Sequence, residues 1–466
     1  MDLDMINNNN GSDGTASDVI AGWINRLKPE DIPGQVRLAA ANTVIDTIGL
    51  IIAALETDYG RAVRKAWPDG GECTVFGSAE PCEMAAAAVI NGTCGHGEDF
   101  DNTFEGCPVH SGVVIVPALT AAGEHFKLKN SDIAKGLVVG IEIMCRLGLV
   151  AQKGIHTAGF HPTAILGTMA ATAGVAAATH QSAPAIRNSL GVAGSMAAGI
   201  IEYLADGSWT KRLHAGWAAQ TGLRAAMMGN AGFVGPGTVF EGTHGLFKAF
   251  APTVKPDFNL LTEGLGEHWA SANVAFKPYA CGTMAQPYVD CAVQLAKHGI
   301  DPDDIEEIVC EVGEGTVHRL WEPLELKRRP PTAYAAKFSV PYCVAVGFLT
   351  GDAGLAQYTE ETIRNDRILD LARKVGYVID PNNEYPRNYS GHVRARLKNG
   401  TVIEERQAQL RGGSRQPLTR NDLINKCKAN LAFAGWPKER VTDIVTFADA
   451  IMNVDAPFNA LSLRTP

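Results

Sequence analysis

The sequence predicts a mostly α protein with a large helical domain, a smaller α+β module and a closing pair of helices. Three observations carry that prediction. Ala- and Gly-rich apolar stretches of helical length recur from about residue 17 to 260, which favours close-packed helices over a β sandwich. Near residue 270 the character changes to strand-like segments, including an Asn399–Gly400 turn signal between alternating runs. From residue 412 helical spacing returns. The boundaries drawn on these shifts are a disordered tail at 1–14, a helical domain over 15–269, the α+β module over 270–411 and a C-terminal helical part over 412–466.

Taken in order, Ser17 is the expected N-cap of a first helix ended by Pro29. Asp31 and Pro33 open a second, whose Val36, Ala40, Val44, Ile48 and Ile51 recur at helical spacing to about Leu55. Residues 56–80 read as looser, with 73–78 extended. Helices follow over about 81–94, 111–126 and 131–152, then 163–180 and 183–204, then an Ala-rich one after Lys211, Arg212 and His214. Pro162 suits a first helical turn. In the module, strands are expected at 271–280 and 304–312, helices at about 284–298, 333–351 and 359–376, and a hairpin over 392–408. Helices at 420–434 and 437–453 close the chain and dock back on the first domain.

At 466 residues the chain is too long for one small domain, and 46% hydrophobic with 20% charged residues fits a large core. The net charge of −9 argues against a nucleic-acid partner, whose phosphates need a basic surface. A small anionic substrate is still allowed, because a local cluster of Lys, His and Arg can hold carboxylates within an acidic protein. The ten cysteines include no CxxC pair, so they read as small core residues and not as zinc or iron–sulfur ligands. A reducing, cytoplasmic setting is expected. Residues 1–14 are polar and acidic, unlike a leader. No apolar run reads as a membrane span of about 20 residues.

Chemistry is expected where ionisable residues interrupt this apolar background. Residues 96–110 carry His96, Glu98, Asp99, Asp101, Glu105 and His110 between two apolar helices. Three further segments share that character: His156 and His161 before a long helix, Lys211 with Arg212 and His214, and Lys277 with Tyr279 and Cys281. Cations that hold carboxylates, an acid/base group and cationic groups beside a developing negative charge suit chemistry on a polycarboxylate. The His156–His161 spacing fits a metal pair, but no Cys partner or HExxH motif accompanies it, and no metal is expected. Walker, GxGxxG and GxSxG motifs are absent as well, so the expectation is a lyase or isomerase that works without a cofactor.

Six segments carry a family resemblance: GEDFDNT (97–103) with His110–Ser111, GFHPTA (159–164), DGSWTKRLHAG (206–216), FEG…GLFKAF (240–250), FKPYACG (276–282) and AAKFSVPY (335–342). In these, and in their order, the chain resembles the MmgE/PrpD family of 2-methylcitrate dehydratases, cis-aconitate decarboxylases and iminodisuccinate epimerases. The resemblance implies a helical domain with the α+β region inserted as a lid, an active site in the cleft between them, and a homodimer. It also implies active-site roles for Asp99, Thr103, His110, His161, Lys211, Lys277 and Tyr342. Lys211, Lys277, Thr103 and His161 would bind substrate, with His214 a further candidate. His110 would carry the proton, and Lys277, His161, Asp99 and Tyr342 would complete the catalytic set. Glu98, Asp101 and Glu105 are read as solvated or helix-capping carboxylates, because more negative charge would repel the substrate.

Two departures from the family pattern stand out. Gln286 occupies a place where the family often has His, and Gly282 one where some decarboxylases have another. The loop from Thr103 to His110 is about one residue longer than in some decarboxylases. The leading expectation is dehydration of 2-methylcitrate or a similar hydroxy acid. The alternatives are decarboxylation of cis-aconitate, epimerisation of an α-substituted dicarboxylate, and an inactive family member acting as a binding subunit.

Overall fold

The computed structural model describes residues 14–67 and 70–465, so the tail expected over 1–14 lies outside the described residues except for Gly14. The chain is mostly helical with a small mixed sheet towards its C-terminal end, as the sequence predicts.

Buried apolar residues form two cores. The first runs from Ala16 to Phe276 and resumes at Leu423–Leu463, so the C-terminal helices complete the helical core. The second is built from Tyr279–Ala395 and takes in Leu50, Ala53 and Phe100 from the helical part. Phe100 belongs to the ionisable segment, which therefore lies where the two cores meet.

Small residues set the helix packing. A Cβ on Gly92 would fall 2.5 Å from the Gly216 Cα, so the helices Met84–His96 and Thr210–Asn230 touch backbone to backbone. Arg224 pairs with Glu83 at 2.6 Å and Lys211 with Asp99 at 3.0 Å, which fixes the two helices as antiparallel. His96, at the end of one, and Lys211, at the start of the other, thus emerge on the same side. The helix Arg420–Phe433 packs as closely: a Cβ on Gly49 would meet the Cys427 Sγ at 2.8 Å.

Six strands are present among the described residues. β1 (Thr103–Phe104) and β2 (Val274–Ala275) form a short antiparallel ribbon with Thr103 opposite Ala275. The larger sheet has the order β4 (Val375–Ile379), β3 (Ile305–Val312), β5 (Gly391–Leu397), β6 (Val402–Gln407). β3 and β4 are parallel, and the other pairs are antiparallel. β5 and β6 are the expected Asn399–Gly400 hairpin, with Gly400 at φ 84° as such a turn requires.

Several element boundaries are corrected. Thr15 replaces Ser17 as the first N-cap, in a capping box with Asp18. Residues read as loose contain the helix Asp58–Ala66, capped by Thr57. The helix expected to 204 ends at Met196, and the strand over 271–280 shrinks to β2. The helix expected over 359–376 stops at Arg373, where Val375–Ile379 joins the sheet beside β3. The helix Gly34–Ala54 is, against expectation, long and apolar enough to cross a membrane, but 83% of its apolar window is buried against its neighbours. Its uniform apolarity reflects a helix surrounded by protein.

Candidate active site

Glu98, Asp99, Phe100 and Asp101 are consecutive, and each meets basic groups from a different part of the fold. Lys337 pairs with the Glu98 carboxylate and donates to its carbonyl at 2.7 Å. Lys277 donates to Asp99 Oδ1 at 2.8 Å and to its carbonyl at 2.7 Å, while Lys211 reaches Oδ2 at 3.0 Å. Lys426 donates to the Phe100 carbonyl at 2.6 Å and pairs with Asp46 at 2.7 Å. Asp101 Oδ2 lies 2.9 Å from His96 Nδ1 and 3.1 Å from His110 Nδ1. Asp99 sits at φ 54°, a left-handed conformation that Asp tolerates and that turns its carbonyl and carboxylate onto the same ammonium. Burial would raise the Asp99 carboxyl, but Lys211 and Lys277 outweigh it and hold it well below the usual carboxylate range. Asp101 is held low in the same sense by His110 and His96, again against burial.

Four imidazoles extend from this carboxylate loop into the helical core. His96 and His110 have ring centroids 4.8 Å apart, and His96 stacks on His161 at 5.6 Å. His161 Nδ1 lies 3.2 Å from His214 Nδ1. His110 Nδ1 is also 2.9 Å from the Asn102 carbonyl, so this nitrogen carries the proton and Nε2 is left for a ligand. The Thr163 hydroxyl accepts the His110 backbone N–H at 3.2 Å, tying the loop to the helix Pro162–Ala178.

A cavity of about 170 Å³ opens over this loop. Asp99, Thr103, His110, Lys277, Thr283 and Arg319 are among the residues that line it, with Phe338, Tyr385 and Tyr389. A larger cleft of about 860 Å³ involves Phe100, Lys426, Asp290 and Arg411, but among the described residues lining it there is no His, and Asp99 is not one of them. The acid/base groups belong to the smaller cavity, which we take as the candidate site.

The buried imidazoles make stability depend on pH. Burial holds His96 and His161 below their ordinary 6.5, and His214 is pushed down to about 4 by burial and then by His96 and Lys211. Below pH 6.5 the unfolded chain takes up protons that the folded chain refuses, so folding weakens as the pH falls. Asp99 and Asp101 add a further loss below the usual carboxylate range, where the unfolded carboxylates protonate first. The melting temperature is expected to be flat from about pH 7 to 8 and to fall continuously between pH 6.5 and about 4 in a calorimetric pH series. A melting temperature unchanged over that interval would contradict the neutral, buried histidines.

The profile of the MmgE/PrpD N-terminal domain matches residues 18–259, and that of the C-terminal domain matches residues 279–449. The chain belongs to the MmgE/PrpD family. The chain is 26% identical to a cis-aconitate decarboxylase-like protein of Aspergillus oryzae, over 93% of each chain. It is 26% identical to the cis-aconitate decarboxylase of Mus musculus, over 95% of this chain and 91% of that one. With the cis-aconitate decarboxylase of Aspergillus terreus the identity is 24%, over 94% and 92%.

Of the residues expected in the site of this MmgE/PrpD protein, Asp99, Thr103, His110 and Lys277 line the cavity. Lys211 reaches it through Asp99, and His161 and His214 form a buried pair behind His96, on which His161 stacks. Tyr342 is not brought to the site. Its hydroxyl donates to the Gln357 carbonyl at 2.6 Å, and its ring packs in the second core beside Tyr358. Gln286 is buried and donates to the Tyr279 and Cys281 carbonyls, so it supplies no acid or base to the cavity.

The reading as solvated or helix-capping carboxylates is corrected for Asp101 and Glu98. Asp101 is fully buried and orients two imidazoles, and Glu98 is neutralised by Lys337 and accepts from the Tyr59 hydroxyl at 2.9 Å. Glu105 accepts from the Ser414 N–H and hydroxyl at 3.1 and 2.7 Å, pinning the end of the module. The residues missed were therefore His96, Asp101, Lys337, Lys426 and Arg319. His96 and Asp101 were visible in the ionisable segment, and Lys337 in AAKFSVPY. Lys426 and Arg319 stood in no cluster.

His96, Asp101 and His110 place one ligand atom each within 4.8 Å of one another, close enough to hold a divalent ion. Both Nδ1 atoms face one carboxylate oxygen at hydrogen-bond distance, which accounts for the geometry as an oriented acid/base group.

Proposed function

We propose that this chain is a lyase acting on a small di- or tricarboxylate without a cofactor, with His110 as the proton carrier. The observation that carries the reading is the His110 imidazole lining the cavity, anchored through Nδ1 by the Asn102 carbonyl and Asp101, with Nε2 left for substrate. Lys277 spends two of its three N–H groups on Asp99 and lines the cavity, so one donor remains for a substrate carboxylate. Thr103 adds a hydroxyl at the same wall.

Decarboxylation of an unsaturated tricarboxylate such as cis-aconitate fits this set best. The bond to one carboxylate breaks, carbon dioxide leaves, and the electron pair is spread into an adjacent carboxylate stabilised by Lys277. Protonated His110 then delivers a proton to carbon, with Asp101 stabilising the imidazolium beforehand. One acid suffices, which agrees with Gly282 and Gln286 offering none. The decarboxylase relatives support the same reading. Epimerisation needs a base on each face of the carbon, and among the described residues lining the cavity His110 is the one imidazole.

Dehydration of 2-methylcitrate or a similar hydroxy acid is the second reading. One observation favours it: Tyr389 lines the cavity and burial pushes its phenol up to about 12, so it stays protonated and able to assist a departing hydroxyl. Incubating the protein with cis-aconitate, 2-methylcitrate, citrate and iminodisuccinate in D₂O, followed by mass spectrometry, separates these readings. The expected outcome is loss of carbon dioxide from cis-aconitate with one deuterium retained at carbon. Loss of water from a hydroxy acid would establish the second reading. No change in any of the four would count against a lyase of this substrate class.

A further inference from the structure

Arg319 is a cationic residue lining the cavity that neither the family motifs nor the chemistry above uses. It lies in the last turn of the helix Glu314–Leu320, is partly buried, and lines the same cavity as His110 and Lys277. Lys327 fixes its position by donating to the Arg319 carbonyl at 2.6 Å and to the Phe338 carbonyl at 2.9 Å, so two cavity-lining segments are tied together. Among the described residues its guanidinium makes no hydrogen bond, ion pair or ring contact.

The neighbouring carboxylates explain why. Asp99 is shared by Lys211 and Lys277, Asp101 faces His96 and His110, and Glu105 is held by Ser414. Among the described residues, the carboxylates lining the cavity, Asp99 and Glu105, are thus already engaged. The charge is felt locally: after burial, Arg319 is the further cause that keeps His156 below its ordinary 6.5. A guanidinium is a rigid planar fork that matches a carboxylate through two parallel hydrogen bonds. Lys277, the other cation lining the cavity, already gives two of its three N–H groups to Asp99, so the Arg319 fork is the group whose geometry suits a further carboxylate.

We propose that Arg319 is a specificity-determining residue that binds a second carboxylate of the substrate, distinct from the one at Lys277. The inference rests on the carboxylate reading of the cavity and sharpens it: the substrate carries at least two carboxylates, and a monocarboxylate is discriminated against. The probes are pentanedioate and pentanoate, which share a carbon chain and differ by one carboxylate. Each is titrated by ligand-observed NMR into the full chain as wild type, Arg319→Gln and Arg319→Lys.

Wild type is expected to bind pentanedioate about 10- to 100-fold more tightly than pentanoate, the range for a hydrogen-bonded charge. Arg319→Gln is expected to lose that preference by weakening pentanedioate alone, and Arg319→Lys to restore part of it. The absence of side-chain partners predicts unchanged melting temperatures for both variants, so a loss of binding reads as a loss of contact. If Arg319→Gln keeps the wild-type preference, Arg319 is not the second carboxylate site, while the carboxylate reading of the cavity stands. Equal binding of the two acids by wild type also overturns the inference. If wild type binds neither acid, the carboxylate reading itself falls and the inference with it.

Discussion

A His110→Ala variant is expected to lose about 10²- to 10⁴-fold in turnover of whichever carboxylate the wild type converts, the contribution typical of a positioned general acid or base. The expectation follows from geometry more than from residue type. Four histidines cluster here, yet among the described residues His110 is the one that lines the cavity, and its Nδ1 is committed to the Asn102 carbonyl and Asp101. Removing the ring leaves Asp101 its 2.9 Å contact with His96, so the loop keeps its main internal anchor. The stability cost is expected to stay near 1–3 kcal/mol, the scale of a lost hydrogen bond to a charged group. Substrate affinity should change less than turnover, because Lys277 and Thr103 remain. Steady-state kinetics beside a thermal melt distinguish this from misfolding. Turnover within a factor of about two of wild type, in a folded variant, would remove His110 from the reaction.

Asp99→Asn is expected to be the most destabilising of the site substitutions. Asn tolerates the left-handed φ of 54° as Asp does, so the change isolates the charge. Without it Lys211 and Lys277, with side chains 15% and 3% exposed, are left as two neighbouring buried cations. Breaking a buried pair from one side costs about 3–5 kcal/mol, and here one carboxylate serves two ammonium groups. Urea unfolding should show a midpoint lowered accordingly, with activity lost as well. Adding Lys211→Met should recover part of the stability, since one stranded charge is then removed. An Asp99→Asn midpoint within the scatter of a surface substitution, about 0.5 kcal/mol, would mean that the clamp is not what holds the loop.

The large architecture was legible because it depends on repeated local patterns. Apolar spacing marked the long helices, Pro162 marked the start of the 162–178 helix, and Asn399–Gly400 marked the hairpin. The site was legible where motif and chemistry coincide, as at Asp99, His110, Lys211 and Lys277. It was illegible where charge balance is non-local. Three extra carboxylates beside an anion site look repulsive in a sequence. Their compensation comes from Lys337, 239 positions from Glu98, and from the geometry that lets Asp101 serve two rings. Tyr342 failed for a related reason. Its motif was placed at the site, but the residue of that motif that reaches the loop is Lys337, while the Tyr342 hydroxyl turns to Gln357.

The most direct measurement is a crystal structure of the full chain with propane-1,2,3-tricarboxylate, an unreactive analogue of the proposed substrate class. The expected result is density in the cavity over the 96–110 loop, with one carboxylate at Lys277 and Thr103 and the carbon chain beside His110 Nε2. The contradicting result is a ligand seated in the larger cleft by Arg411 and Lys426, with the cavity at His110 empty.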